Sequence, residues 1–232
     1  MNSNIQALPA QTLPDPLPVN PLTLAQEWLA QAQRDAAQPN PDSMVLATVD
    51  ASGQPSARVV LCKGIEPEPG IITFVTHYQS RKGRELAANP RAALVFHWDH
   101  HHRQVRAEGR VQPLSEAEND AYFRTRPLLS RVGAWASQQS APLPSGRTLI
   151  QQVIEAARRF GVPYGGPGTP EPADVDIDIP RPPYWGGFSL RVDAMELWVE
   201  GAYRIHDRAR WTRSPVSGQV RGDGWSAMRL QP

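Results

Sequence analysis

Cysteine occurs once in the 232 residues, at Cys62, so an intramolecular disulfide framework is excluded and a reducing compartment is the natural setting. Long hydrophobic runs are also missing, since nothing approaches the roughly 20 apolar residues that cross a bilayer. The N-terminus has neither the basic nor the apolar segment of a secretory leader. These absences lead to the expectation of a cytoplasmic protein with no membrane partner. An excess of one charge is lacking too: 24 Lys and Arg against 23 Asp and Glu leave a net charge of +1, which offers no global field to nucleic acid. Between Arg58 and Arg131, however, 12 basic residues stand against 8 acidic ones, a local excess suited to small anions.

Several chemical signatures are absent. No Ser-His-Asp order or paired-carboxylate motif points to hydrolysis. His97, His100, His101 and His102 lie together, but without a cysteine ligand or a helical His-x-x-x-His pair they do not make a metal site. Asp174, Asp176 and Asp178 lack the glycine and glutamate of a calcium loop and read as an acidic loop. Gly165-Gly166-Pro167-Gly168 follows no strand and opens no helix, so it is not a dinucleotide fingerprint.

What is present reads mainly as short strands. Residues Met1 to Asn20 are polar, proline-punctuated and aperiodic, which predicts a mobile arm. Thr23 with Gln26 suggests a capping box for a helix carrying Leu24, Trp28 and Leu29. Met44–Val49 and Ser56–Lys63 form a hairpin about Asp50–Gly53, and Ile71–Thr76 is a third strand. Ser80–Ala88 reads as a short helix, and Ala92–Trp98 with Gln104–Val111 as a second hairpin with a histidine-rich tip. Five strands at this spacing predict an antiparallel barrel or sandwich. Helices follow from Ser115, capped by Glu118, and from Thr148 to Phe160, stopped by Gly161. Pro163 to Pro183 reads as a flexible insertion, and final strands are expected over Trp185–Trp198, Arg208–Thr212 and Trp225–Leu230.

The polar candidates are mostly cations. Arg58 and Lys63 are five apart on one strand, so they face opposite ways and serve different anions unless a bulge intervenes. Arg81-Lys82 opens a short helix, where two cations and free backbone N–H groups suit a phosphate; a solvated loop is the plainer alternative. Tyr122, Arg126 and Ser130 recur every four residues and share a helical face, although Pro127 would end or bend that helix. Ser137 to Ser140 with Gln104 could read a heterocycle's polar edge, and Cys62 has no evident activating partner. In Trp198 to Arg208, an extended chain would point Arg204, His206 and Arg208 to one side; this row is either an anion site or the solvated face of an edge strand.

In order along the chain, Arg58-Val59-Val60-Leu61-Cys62-Lys63-Gly64, Ser80-Arg81-Lys82-Gly83, Arg103-Gln104-Val105-Arg106, Tyr122-Phe123-Arg124-Thr125-Arg126-Pro127, Ser137 to Ser140, Trp185-Gly186-Gly187-Phe188 and Arg204-Ile205-His206-Asp207-Arg208 resemble the motif series of the pyridoxamine 5′-phosphate oxidase family. Arg229-Leu230-Gln231-Pro232 is similar as well. The resemblance runs from about Asp15 to the end. It implies a mainly β fold with peripheral helices, an antiparallel FMN-binding split β-barrel over 21–232 whose C-terminal 184–232 serves dimerisation and substrate. It implies a homodimer with FMN at the subunit interface. Cofactor contacts are implied for Arg58, Val59, Val60, Leu61, Val75, Thr76, Arg81, Lys82, Gln104, Gln139, Ser140, Trp198 and Arg208. Lys63, Tyr122, Arg126 and Ser130 match positions holding a substrate phosphate, and Arg204 and His206 match those against its pyridine ring. The implied activity oxidises pyridoxamine or pyridoxine 5′-phosphate to pyridoxal 5′-phosphate, with O2 as acceptor and H2O2 as product. The arm departs from the family in holding no Arg-x-x-Tyr element, and the insertion is longer than expected. Two other readings stand beside it: a related flavin oxidase of the phenazine-biosynthesis type, and a non-catalytic flavin or pyridoxal-phosphate binder.

Overall fold

The structure, a computed structural model, describes residues 12–170, 177–213 and 224–232. Helix α1 (Pro21–Asp35) precedes strands β1 (Ser43–Val49), β2 (Pro55–Glu66) and β3 (Ile71–His77), helix α2 (Arg81–Ala88), and strands β4 (Arg91–Trp98) and β5 (Arg103–Pro113). Helices α3 (Glu116–Arg124), α4 (Leu128–Ala136) and α5 (Gly146–Arg159) then lead to strands β6 (Trp185–Val199), β7 (Asp207–Arg213) and β8 (Trp225–Leu230). The sheet order is β3-β2-β1-β4-β5-β6-β7-β8, and an added β3–β6 pairing closes the first six strands into an antiparallel barrel. The barrel expectation holds, and α4 is a helix that the sequence pattern did not reveal.

The chain divides into two compact units. The first comprises residues 1–74, 89–112 and 189–232 and contains most of the barrel. Period-two alternation fills its interior: Met44, Leu46, Ile72, Phe74, Leu94, Phe96, Val105, Leu190, Val192 and Leu197 are all buried. Helix α1 buries Leu22, Ala25, Trp28, Leu29 and Ala32 along one stripe. Its cap differs from the Thr23–Gln26 expectation. The Asn20 side chain accepts from the Leu22 N–H and Pro21 takes the first helical turn, where its missing N–H costs nothing. Gln26 donates instead to the Ile65 carbonyl at 2.7 Å.

Residues 12–20 of the expected arm are packed rather than free. Leu13 is buried, its N–H donates to Asp207, and the Trp211 indole donates to the Pro18 carbonyl. The histidine-rich tip is a single 3-10 turn over Asp99–His101, closed by His102 at φ 54°. There the His102 ring lies 2.7 Å from Glu200, whose N–H also donates to the His102 carbonyl.

The second unit comprises residues 75–88 and 113–188. Phe123, Val132, Ala157, Ile179 and Trp185 form its apolar centre. Ser115 and Glu118 make the expected reciprocal cap on α3, and Gly161 at φ 70° ends α5 as anticipated. The proline-rich stretch is anchored at its C-terminal end: Arg131 donates to the Ile177 carbonyl and Trp135 to that of Pro180. Asp178 is exposed, whereas Asp174 and Asp176 fall outside the described residues.

Candidate active site

In the second unit, three of the residues assigned to a cofactor converge. Lys82, in the first turn of α2, places Nζ 2.8 Å from Gln139 Oε1, 3.1 Å from Thr76 Oγ1 and 3.5 Å from Ser80 Oγ. Thr76 also donates to Gln139 at 3.2 Å. A strand end, a helix start and the Ser137–Ser140 turn are thereby joined through one buried ammonium. Beside it, the buried His77 ring has its pKa lowered by desolvation and then by the Lys82 charge. Its Nδ1 accepts from the Gln79 N–H, so the neutral ring carries its hydrogen on Nε2. Arg81 reaches back to Glu85 at 2.8 Å, while Val75 lies partly buried in β3 and Ser140 sits exposed at φ 72°. A cationic helix start with hydroxyl and amide partners fits a phosphorylated cofactor with a polar ring edge.

Tyr122, Arg126 and Ser130 do not share one helix. Pro127 lacks the N–H that would continue α3, so α3 ends at Arg124, Arg126 lies in the link, and Ser130 belongs to the first turn of α4. Tyr122 and Arg126 are brought together by a residue outside the candidate set, Trp185. The guanidinium lies 4.5 Å from the indole centroid and 5.5 Å from that of Phe123, and the Tyr122 ring is parallel to the indole within 3°. Among the described residues, the buried Arg126 Nη1 has no hydrogen-bond partner, and desolvation lowers the pKa of the group. A buried cationic donor without a partner is costly unless an anion completes it.

In the first unit, Arg58 donates to the Leu46 carbonyl at 3.2 Å and to the hydroxyls of Thr48 and Ser56. Val59 and Leu61 point the other way and are 65% and 40% exposed, while Val60 lies on the Arg58 face. This alternation continues to the exposed Lys63, so Arg58 and Lys63 do face opposite ways. The bulge allowed for in the sequence lies here as well: Cys62 pairs with Phe74 and Gly64 with Thr73, leaving Lys63 as the extra residue. Lys63 lines a cavity of about 240 Å3 with Gln26, Leu29, Gln33, Cys62 and Ile65. The Cys62 thiol there is pushed up to about 12, chiefly by burial. Gln104 pairs with His97 in the β4–β5 ladder.

Arg204, His206 and Arg208 do not form one strand face. A 3-10 turn over Ala202–Arg204 intervenes, with Tyr203 at φ 56° and Arg204 at φ 64°, and β7 begins only at Asp207. Gly201 opens this loop because a Cβ there would meet the Ile205 carbonyl at 1.7 Å. Its N–H donates to His206 Nδ1 at 3.2 Å, which leaves Nε2 as the donor of the neutral ring. The His206 ring lies 4.7 Å from that of Trp198, and Trp198 stands directly opposite Arg208 across the β6–β7 pair. Arg204 projects from the exposed turn.

Arg208 is already held. It donates twice to Glu196, at 3.0 and 2.8 Å, and once to the Gln231 carbonyl. Glu196, only 4% exposed, also meets Arg106 at 3.3 Å, and Glu108 links Arg106 to Arg210. Glu196, Trp185 and His77 are therefore structural participants that the candidate set omitted. Glu196 had a signal: a carboxylate between Met195 and Leu197 in an apolar strand needs a buried partner. Among the described residues, no three His, Cys, Asp or Glu side chains group as a metal site, and no helix is long and apolar enough to cross a membrane.

Two family models match the chain: pyridoxamine 5′-phosphate oxidase over residues 30–160, and the pyridoxine 5′-phosphate oxidase C-terminal dimerisation region over residues 185–232. A pyridoxine/pyridoxamine 5′-phosphate oxidase of Cupriavidus taiwanensis is 47% identical over 213 residues, covering 92% of this chain and 89% of that one. The Burkholderia mallei protein of the same name is 46% identical with the same coverage. Among solved structures, PhzG from Burkholderia lata, in complex with tetrahydrophenazine-1-carboxylic acid, superposes with a TM-score of 0.78 at 31% identity, over 94% of this chain and 95% of that one. A pyridoxamine 5′-phosphate oxidase-related, FMN-binding protein from Nostoc punctiforme shares the fold at a TM-score of 0.66 and 16% identity, covering 93% of this chain and 100% of that one.

Proposed function

Because the chain belongs to the pyridoxamine 5′-phosphate oxidase family, we propose that it oxidises pyridoxamine or pyridoxine 5′-phosphate to pyridoxal 5′-phosphate as an FMN-dependent homodimer. The observation that carries the substrate reading is Arg126, whose buried Nη1 lacks a partner among the described residues. A phosphate oxygen supplies the missing acceptor, and the charge-assisted bond offsets the desolvation that the aromatic surroundings impose. Tyr122 and Ser130, in the same unit, would complete its phosphate set, and Lys63 of the first unit is a separate phosphate-binding candidate.

In the second unit, Thr76, Arg81, Lys82, Gln139 and Ser140, with Val75, would hold FMN. In the first unit, Arg58 to Leu61, Gln104, Trp198 and Arg208 would contribute to holding it. FMN held there would supply the hydride-acceptor chemistry for oxidation at C4′, with O2 as the final electron acceptor and H2O2 as its product. The protein's part is position and electrostatics. Arg204, on the exposed turn, would supply a cation toward the pyridine ring. His206, oriented by the Gly201 N–H, presents an Nε2 donor that fixes the ring's polar substituent.

Anaerobic mixing of the flavin-loaded protein with pyridoxamine 5′-phosphate tests this reading: the flavin bleaches, and admitting air restores its colour with release of peroxide. Absence of bleaching overturns the oxidase assignment. The likeness to PhzG favours a second reading, oxidation of a reduced phenazine. Bleaching by tetrahydrophenazine-1-carboxylic acid but not by pyridoxamine 5′-phosphate would transfer the assignment to it.

A further inference from the structure

Arg126 lies in a link between helices, where nothing in the backbone ladder fixes its side chain. Its orientation comes from an aromatic surface. The guanidinium carbon sits 4.5 Å from the Trp185 ring centroid, within the range of a cation–π contact, and Phe123 adds a second ring at 5.5 Å. The indole is itself fixed from two sides: Phe123 meets it at 5.1 Å and 67°, and Tyr122 lies parallel at 6.1 Å.

The backbone beneath the indole is equally constrained. The Trp185 carbonyl accepts from Arg181 at 2.7 Å, and its N–H donates to the Pro182 carbonyl at 3.0 Å. At Gly186 a Cβ would meet the Tyr78 hydroxyl at 2.1 Å and Asn119 Oδ1 at 2.9 Å, so the strand start is pressed against both. The Gly187 N–H donates to the same Asn119 oxygen at 2.7 Å. Trp185, 6% exposed, has no room to turn.

We propose that Trp185 is a positioning and specificity-determining residue: its indole is the platform that holds Arg126 and Tyr122 in register, orienting the Arg126 guanidinium toward a phosphate monoester and so selecting phosphorylated over unphosphorylated substrates. The proposal rests on the oxidase reading for its substrate and on the Trp185–Arg126 geometry for its mechanism. A flat guanidinium needs a flat, electron-rich face; an aliphatic side chain would fill the volume and leave the group to rotate.

The test compares Trp185→Leu and Trp185→Phe with the parent holoenzyme, using pyridoxamine 5′-phosphate and pyridoxamine. For Trp185→Leu, KM for the phosphorylated substrate rises about 30-fold while kcat changes less than about twofold, and KM for pyridoxamine stays near the parent value. Trp185→Phe keeps a smaller ring face and recovers most of the loss, leaving a rise of about fivefold. Equal losses on both substrates, or a fall in kcat at unchanged KM, would overturn the proposal. Should Trp185→Leu fail to fold, the Phe variant decides: a rise confined to the phosphorylated substrate supports the platform, and no rise removes it. Equilibrium binding of pyridoxal 5′-phosphate against pyridoxal gives a readout independent of turnover. Parent protein that binds the phosphate ester without oxidising any substrate ends the oxidase reading, whereas parent and Trp185 variants that bind it equally end the platform.

Discussion

Helix α3 has an arginine packed at each end, and the two are treated in opposite ways. At the N-terminal end, Arg181 has a side chain only 5% exposed, donating to Asp120, Glu116 and two backbone carbonyls. Beyond the C-terminal end, Arg126 has aromatic neighbours and a buried Nη1 with no acceptor among the described residues. The first arrangement is finished as it stands. The second leaves a donor open, which is what the proposed phosphate contact would complete. Removing a paired buried charge and removing an unpaired one should accordingly differ in sign as well as size.

The largest effect is expected at Arg126. Arg126→Leu should weaken the phosphorylated substrate about 100-fold, the equivalent of about 2.7 kcal/mol for a lost charge-assisted contact, while leaving thermal stability unchanged or slightly raised. Steady-state KM on both vitamers together with a melting curve checks both halves; a large drop in melting temperature would erase the contrast. Arg181→Leu should do the reverse, costing about 2 kcal/mol in denaturant unfolding with kcat per folded molecule nearly unchanged. An unaltered unfolding midpoint would show that its four contacts are ornamental. Glu196→Gln extends the comparison to the first unit, where Arg106 and Arg208 share that carboxylate. The expected loss is about 1.5 kcal/mol, measured by the same unfolding experiment. Cys62 gives the smallest effect and a control, being a buried titratable group with no ligand to await. Its thiol is held protonated up to about 12, so native protein should resist alkylation at pH 8 while denatured protein reacts fully. The stability gained by keeping it neutral is complete below the unfolded value of 9.0 and is lost as pH climbs toward about 12.

The barrel was legible because period-two alternation and turn residues are local signals, and Met44–Val49, Ile71–Thr76 and Ala92–Trp98 carry both. The Arg58–Lys63 opposition followed from the same counting. Helix α4 was not legible, since Pro127 masked a new start as a mere stop. The Arg204–His206–Arg208 row misled because nothing in Ala202-Tyr203-Arg204 announces two consecutive residues at positive φ. Trp185 was visible as a motif residue, but its role depends on Arg126 and Tyr122, which sit some 60 positions earlier in sequence. Contacts of that separation leave no periodic trace. Lysine supplies a signal in hindsight: 22 of the 24 basic residues are arginine, and the two lysines, Lys63 and Lys82, both fall in the candidate set. A compact ammonium on a flexible stem is retained where a point donor, rather than a planar fork, is required.

The extra residue at Lys63 changes how β2 should be viewed. A regular strand is a parity device in which even and odd positions never exchange sides. The bulge resets parity once, so that Cys62 and Ile65, an odd number of residues apart, are both buried. Upstream of the reset, substitution alters one side chain at a time. A single insertion or deletion there would instead exchange the two faces wholesale, delivering Arg58 to the side where Val59 now points. Residue count between Arg58 and Lys63 is thus a stricter requirement on this strand than the identity of most residues it contains.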